Sequence, residues 1–474
     1  MLKQSIWNIN NKNNDFILEK DLKTDILIIG SGITGNTLAY LLDNKDITII
    51  DDDLGKTTCK STAKITFLQD CIYNNISKKK KDLYLKSQLF AIELIKKIIK
   101  DNNIKCNLEK TKMYLFTNST KEVKNIKKIE KLLSKNNISF TINQLLSYPN
   151  IYNISTDSYV FNPSLYLKQL KEINKNKNIH YYKNRYVKHL SLYNNYEVTL
   201  DNETIITCNT LIFTCHYPPF IYPLLIPFKV KLDKSFIGSI TKENTKYSGI
   251  NTTTPWQSFR FYKNNLIYLT NSNSVSRSID NELEASSLID KTKEIFNEKL
   301  NYIWTNNDLI SYDHLPIVGR IEKNNDKLLI ACAYNTWGMT NGILSASILK
   351  DIINKKNNAY IDLCNPHRFK SIKDYLNILI YSTMNGLAFT KSKLKVNCSF
   401  YKTAKVKKIN GIRYGIYNDE QNKEHIVLNK CPHMKCNLIF NELEHTWDCP
   451  CHASRFDIDG NIIKGPSTYN IKVK

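Results

Sequence analysis

Residues 25–29, Asp-Ile-Leu-Ile-Ile, form a short apolar run of the kind that becomes a strand buried on both faces. The run leads directly into Gly30-Ser31-Gly32-Ile33-Thr34-Gly35. A helical stretch at 36–43 and a second strand at 47–50 follow, ending in Asp51. Strand, Gly-x-Gly-x-x-Gly, helix, strand and an acid about 20 residues on together predict a βαβ unit that holds a dinucleotide. Gly30 permits the tight turn, Gly32 lets the backbone approach a pyrophosphate, and Gly35 lets helix and strand pack closely. Free N–H groups at the helix start attract phosphate, and Asp51 can accept hydrogen bonds from a ribose diol. A glycine-rich turn that only packs is the plainer alternative; the strand and helix around it favour cofactor binding.

The chain has 474 residues, enough for about three domains. Its 67 Lys and Arg against 44 Asp and Glu leave a formal charge of +23. No nucleic-acid partner is expected from this charge. The lysines are spread along the chain rather than gathered into a stripe, and Asn, Lys, Ile and Tyr are all abundant, as A+T-rich coding produces. Attraction to anionic lipid stays open. The first residues lack the apolar core of a secretory signal. No run of about 18 apolar residues occurs, so no transmembrane span is expected. The stretch 211–228 is broken by Pro218, Pro219 and Pro223, and 375–389 reads as a buried or surface-lying helix. Eight of the 12 cysteines stand singly, which suits a reducing, cytoplasmic setting, with peripheral membrane contact left open.

Helical periodicity marks 83–100 and 118–134, and strands are expected at 186–190, 196–200, 211–214, 266–270 and 328–331. The polar stretch 271–281 reads as a loop. Asn354-Lys-Lys-Asn-Asn358 marks a boundary, and from about Lys391 short strands and turns suggest a small all-β module.

That module carries Cys431-Pro-His433-Met-Lys-Cys436 and Cys449-Pro-Cys451-His452-Ala-Ser454-Arg-Phe456. Each loop offers one thiolate and one imidazole close together. Two cysteines can bind one iron of a [2Fe-2S] cluster and two histidines the other. A zinc knuckle is the alternative, although C-x-H followed by C-x-x-H is not the finger spacing. The segment resembles a Rieske iron–sulfur domain. The resemblance implies Cys431, His433, Cys449 and His452 as ligands, Cys436 and Cys451 as a disulfide joining the two loops, and Gly465-Pro466 as a proline loop over the cluster. It also implies that Ser454 hydrogen-bonds a cluster sulfur. Phe456 stands where high-potential members have a tyrosine hydroxyl, and Lys435 and Ala453 replace glycines. A lost hydrogen bond predicts a lower potential, because such bonds stabilise the reduced form. The resemblance further implies that the histidine-ligated iron faces the domain surface, where an external acceptor could dock.

Only one Gly-x-Gly-x-x-Gly is present, which favours a flavoprotein that oxidises its substrate without NAD(P)H. The segment Gly55-Lys-Thr-Thr58-Cys-Lys60-Ser61-Thr62-Ala63-Lys64 resembles the flavin loop of the D-amino-acid-oxidase-like (DAO) family. Tyr312-Asp-His314-Leu-Pro316-Ile-Val-Gly319-Arg320 resembles its D-x-L-P-x-x-G motif. Ala333-Tyr334-Asn-Thr-Trp337-Gly338-Met339-Thr340-Asn341-Gly342 resembles the closing flavin loop, whose helix start stabilises charge on a reduced flavin. The resemblance implies an α/β FAD-binding Rossmann-like domain (1–75, 155–220, 310–365) with an inserted α+β substrate domain (76–154, 221–309). A linker helix (366–390) and a small all-β Rieske domain (391–474) would follow. FAD would be held by Gly30, Gly32, Gly35, Asp51, Thr58, Ser61, Thr62, Ala63, Val187, Thr214, Gly338, Met339, Thr340, Asn341 and Gly342. Lys60 departs from the family's usual histidine, and Asp51 from its commoner glutamate. Candidate catalytic residues are Arg260, as a carboxylate clamp, His216 and Tyr334, with His314 a further histidine to locate. The expected function is oxidation of a small substrate, an amine or amino acid, by hydride transfer to FAD. Electrons then leave singly through the [2Fe-2S] cluster to an external protein or quinone. Reversed flow from a donor, or a redox sensor without turnover, are the alternatives.

Overall fold

The computed structural model describes residues 2, 4–8, 15–42, 45–51, 55–144, 148–183, 187–191, 195–219, 223–243, 245–253, 256–274, 281–368, 372–394, 403–442, 444–452 and 454–473. The apolar run becomes the strand Leu22–Ile29, at the centre of a mainly parallel sheet. It pairs in parallel with Ile47–Asp51 on one side and Ile205–Phe213 on the other, so that Ile29 lies opposite both Ile50 and Phe213. Ile26, Leu27 and Ile28 are at most 3% exposed, as a strand covered on both faces requires. The register brings Gly30, Asp51 and Thr214 together at the carboxyl edge, where open α/β sheets bind ligands. The helices Ile33–Leu41 and Gly338–Ile353 pack on one face of this sheet and on each other.

A second, nine-stranded sheet stands beside the first. Its path runs Tyr302–Ser311, Val230–Thr241, Asn265–Ser274, Gln257–Tyr262, Tyr247–Asn251, Glu109–Thr117, Tyr152–Val160, Lys64–Ile65, and the ninth strand, Thr141–Ile142, pairs with Tyr152–Val160 off this path. Phe116, Phe236, Phe259 and Tyr268 fill its outer face together with Ala285 and Leu288 of the helix Asn281–Phe296. Side chains alternate across a pleated strand, and the opposite face is left to line the site. This sheet redraws the expected domain borders. Tyr152–Val160 crosses the border at 154/155, Tyr302–Ser311 crosses the one at 309/310, and Lys64–Ile65 joins the second sheet rather than the first. Of the loop expected at 271–281, residues 271–274 instead belong to the strand Asn265–Ser274 and Asn281 begins a helix, while 275–280 lie outside the described residues. Pairing with Val230–Thr241 holds those polar residues extended.

The helix Ile372–Leu394 leads to the C-terminal module. That module has a three-stranded antiparallel sheet (Ala404–Ile409, Ile412–Asn418, Glu424–Leu428) and a four-stranded one (Ile439–Asn441, Thr446–Asp448, Arg455–Phe456, Ile462–Lys464). Trp447 is fully buried between them; a Cβ at Gly415 would come within 2.5 Å of its ring.

Candidate active site

At the carboxyl edge of the parallel sheet lies a cavity lined by Gly30, Gly32, Asp51, Thr58, Ser61, Thr62, Ala63, Val187, Thr214, Gly338 and Met339. Gly30 has φ +114°, and a Cβ there would lie 2.9 Å from the backbone of Thr214 and Cys215. A Cβ on Gly32 would touch only the Thr58 Oγ1, at 3.3 Å, and otherwise fill the cavity. The Ile33 N–H donates to Thr58 Oγ1 (3.2 Å), which ties the flavin-loop segment to the helix start. Asp51 Oδ2 accepts from the Ser31 N–H (2.6 Å) and hydroxyl (2.9 Å), which holds its carboxylate beside the glycine turn. A cradle that a Cβ would fill, a helix start and a carboxylate at a strand end together fit a dinucleotide.

Four of the proposed cofactor residues do not line this cavity. Gly35 packs helix on strand: a Cβ there would meet Gly30 O at 2.0 Å. Gly342 serves helix–helix contact instead of flavin approach, since its Cβ would meet Ile33 Cγ2 at 2.6 Å. Thr340 Oγ1 accepts from Gln69 Nε2 (2.8 Å), and Asn341 Oδ1 accepts from Gln88 Nε2 (2.9 Å). Both residues lie in the turn of Gly338–Ile353 that packs on neighbouring elements, while Gly338 and Met339 reach the cavity.

The opposite wall is the second sheet. Ser235 and Ile237, Trp256 and Ser258, Asn306 and Asp308 face the cavity at every second position of their strands or approaches, together with Leu269. Asn306 Oδ1 is buried there without a hydrogen-bond partner, as is His216 Nε2. Such atoms are costly unless a ligand satisfies them. Burial, then the charge of Lys464, pushes His216 well below the usual imidazole range, so the ring is neutral. Lys64 also lines the cavity. Its ammonium hydrogen-bonds to the Ser258 hydroxyl and to Thr62 Oγ1 (3.4 Å), and burial followed by repulsion from Arg260 lowers its pKa to about 7. Burial raises Asp308 to about 7 against the opposing pull of Lys464.

The expected role of Arg260 as a carboxylate clamp is corrected. Arg260 is 1% exposed and lies outside the cavity lining. It donates to the backbone carbonyls of Thr62, Ala63, Phe161 and Phe261 at 2.8–3.1 Å, so it holds the flavin-loop segment in place. Tyr334 lines the cavity, but its hydroxyl is shared with Thr34 Oγ1 (2.7 Å) and held protonated by burial. His314 lies outside the lining; its neighbour Asp313 is the anchor of that motif, paired with Arg368 at 2.7 Å.

In the C-terminal module the Cys431 and Cys449 thiols lie within hydrogen-bonding reach of each other. The His433 and His452 rings stand 5.1 Å apart, centroid to centroid. Both nitrogens of His433 and Nδ1 of His452 are buried without partners, and burial pushes the two rings down to about 4 and about 3, which leaves neutral imidazoles of the kind a metal requires. A Cys436–Cys451 disulfide (S–S 2.05 Å) joins the two ligand loops. Ser454 is fully buried, accepts from the Ser467 N–H (3.0 Å), and hydrogen-bonds the Cys431 thiol. Phe456 is fully buried beside Trp447. Lys435 has φ +60°, a backbone conformation that favours the glycine it replaces; Ala453 lies outside the described residues. The buried donor set fits a [2Fe-2S] centre bound by two thiolates and two imidazoles.

Comparison with known families matches residues 25–352 to FAD dependent oxidoreductases (DAO) and residues 392–473 to the Rieske [2Fe-2S] domain. The chain belongs to the FAD dependent oxidoreductase family. It carries a Rieske domain at its C-terminal end, and the two families imply FAD and a [2Fe-2S] cluster as its cofactors. The Bacillus subtilis protein YhfW, named as a Rieske 2Fe-2S iron–sulfur protein, is 27% identical over 478 residues, covering 96% of this chain and 94% of its own. Among solved structures, glycine oxidase from Geobacillus kaustophilus superposes with TM-score 0.61 at 11% identity, covering 74% of this chain and 100% of that one. L-proline dehydrogenase from P. horikoshii does so with TM-score 0.61 at 16% identity, covering 74% and 98%. At these identities the likeness concerns fold.

The Rieske domain closes the FAD cavity. Its segment 462–468, which includes the proline loop, supplies part of the lining, and Lys464 Nζ donates to Thr57 Oγ1 (3.1 Å). Burial, then the charges of Lys60 and Arg455, lowers Lys464 to about 7. The cluster histidines, expected at the surface of their domain where an external acceptor could dock, meet the FAD-binding unit there. Tyr217 of the FAD-binding unit stands edge-on to the rings of His452 (5.7 Å) and His433 (6.4 Å). A cluster of charges holds the two units together. Glu444 takes Lys60 (3.6 Å), Arg455 and the Thr305 hydroxyl (2.9 Å), while Asp448 takes Lys234 (3.4 Å) and Arg455 (2.9 Å). Sequence reasoning missed Lys64, Asp308, Lys464 and Tyr217 as site residues. Lys64 ends the quoted flavin loop and was within reach. The alternation Asn306, Asp308 marks one face of a strand, but nothing local says which face meets the cavity.

Proposed function

We propose that this oxidoreductase takes a hydride from a small substrate of the amine or amino-acid class and passes the two electrons singly to an external one-electron acceptor. When bound, FAD supplies the two-electron acceptor and the [2Fe-2S] cluster the one-electron carrier. The observation that carries the reading is the contact between the two sites: Tyr217 touches both cluster histidines, and the adjacent His216 lines the flavin cavity.

The substrate class is supported by the names of two fold relatives, a glycine oxidase and an L-proline dehydrogenase, and by the cavity. Lys64 is held by hydroxyls and, with a pKa of about 7, takes up a proton to give a counter-charge when a carboxylate binds beside it. Asn306 Oδ1 presents an acceptor that a bound substrate would satisfy. His216, neutral with Nε2 unpartnered, can take the N–H proton that an amine gives up as its C–H bond breaks. Walls from both units keep water away from that step.

The test is anaerobic mixing with a panel of amines and amino acids, followed by flavin absorbance and EPR of the cluster. Bleached flavin together with a reduced cluster is the expected result. Flavin that bleaches while the cluster stays oxidised would sink the reading. Replacing Tyr217 by Leu is expected to slow cluster reduction while flavin bleaching keeps its rate.

A further inference from the structure

The helix Ile372–Leu394 turns a mixed face to the protein and an apolar one outward. Inward, Tyr381 is buried and Ile378 half-buried, while Asn377 Nδ2 donates to Tyr312 O (2.9 Å) and Asn385 Nδ2 donates to Pro227 O (2.7 Å) and Val230 O (3.1 Å). Ile372, Tyr375, Leu376, Leu379, Ile380 and Leu387 point outward, each more than half exposed. Their spacing follows the helical period, so they form one stripe. The adjoining helical turn Ile226–Lys229 packs against this helix and adds the 39% exposed ring of Phe228. A surface helix ordinarily buries its apolar stripe. This one forgoes that burial along most of its length, the pattern of a contact surface.

Charge identifies the occupant. Between residues 369 and 395 the sequence has five lysines, Lys370, Lys373, Lys391, Lys393 and Lys395, which precede Tyr375 or follow Leu387 in the chain, and one acid, Asp374. Lys81 lies near Lys373 at the helix start; burial and then the charge of Lys128, with Lys373 contributing, depress Lys81. A second copy of a chain of charge +23 would be repelled by such a rim, and lysine is depleted at protein–protein interfaces. Anionic headgroups above an acyl layer match both features. Among the described residues no helix is long and apolar enough to cross a membrane, so the contact is one of lying along the surface.

We propose that the outward face of Ile372–Leu394 docks this protein on an anionic lipid bilayer. The helix then lies at the headgroup–acyl boundary, with the lysines that flank it in the sequence supplying positive charge to an anionic surface. Flotation of the full-length holoprotein compares phosphatidylcholine vesicles with vesicles containing a quarter phosphatidylglycerol. Expected is binding to the anionic vesicles, weakened when salt rises from about 0.1 to about 0.5 M. The double variant Leu376→Ser/Leu379→Ser is expected to lower the partition coefficient by roughly ten- to a hundred-fold, from the loss of two buried aliphatic side chains. Its flavin absorbance and melting temperature should stay those of the parent, because both positions are exposed. Lys373→Glu is expected to weaken binding to the anionic vesicles alone. Absence of binding to either vesicle, or equal binding to both, overturns the proposal. So does a lipid-free dimer in sedimentation velocity that the double variant abolishes, since a second copy would then be the occupant.

Discussion

Lys64 is a buried amine held by hydroxyl groups, and that has a consequence for stability. Its folded pKa of about 7 lies below its ordinary value of 10.5. Above pH 10.5 the amine is neutral in both states, and its contribution to stability is fully present. As the pH falls toward 7 the unfolded chain binds a proton that the folded chain does not, so that contribution is lost. The melting temperature of the parent is therefore expected to fall relative to Lys64→Met between pH 10 and 7; parallel curves would refute the assignment. Phe456 offers a test of opposite character. It is fully buried in the Rieske domain and carries no hydroxyl. Phe456→Tyr adds a donor near the cluster, and because hydrogen bonds to it favour the reduced form, the potential measured by protein-film voltammetry is expected to rise.

At the scale of elements, glycines of like appearance do different work. Gly32 faces the cavity, whereas Gly342 faces Ile33 of a packed helix. Gly32→Ala is expected to weaken FAD binding in a titration while leaving the melting temperature without added FAD unchanged. Gly342→Ala is expected to cost about 1–3 kcal/mol of stability from overpacking, read in denaturant unfolding, because Ile33 must move. Both residues belong to Gly-rich segments that were expected to touch the cofactor. The spacing that makes a helix start attractive to phosphate cannot say how many turns of that helix remain in view of it. The same holds for Arg260: an arginine on an aromatic strand reads as a clamp, but only the neighbouring loop's free carbonyls reveal it as a brace.

At the scale of the molecule, the junction of the two redox units rests on Glu444 and Asp448 against Lys60, Lys234 and Arg455. Burial opposes ionisation of Glu444, but Arg455, Lys60 and Lys234 hold it far below the usual carboxylate range. Glu444→Gln leaves Lys60 without its counter-charge and Lys234 and Arg455 with Asp448 alone. Breaking a buried cluster of this kind costs about 3–5 kcal/mol. The expected outcome is faster proteolysis between the units and slower reduction of the cluster by flavin, with FAD affinity retained. Unchanged proteolysis and transfer would show that the cluster does not hold the junction.

The division between what was legible and what was not follows sequence distance. The glycine turn with its acid, and the two Cys/His loops, could be read from the chain because pyrophosphate binding and metal ligation draw on residues a few positions apart, whose spacing is itself the chemistry. Lys64 with Ser258, Asp308 near Lys464, and Tyr217 against His433 and His452 are brought together across hundreds of residues by sheet pairing and domain packing, which leave no local period behind. Tertiary structure alone decided that the cluster turns its histidines inward, that the Rieske domain completes the flavin cavity, and that one helix turns its apolar face to the outside.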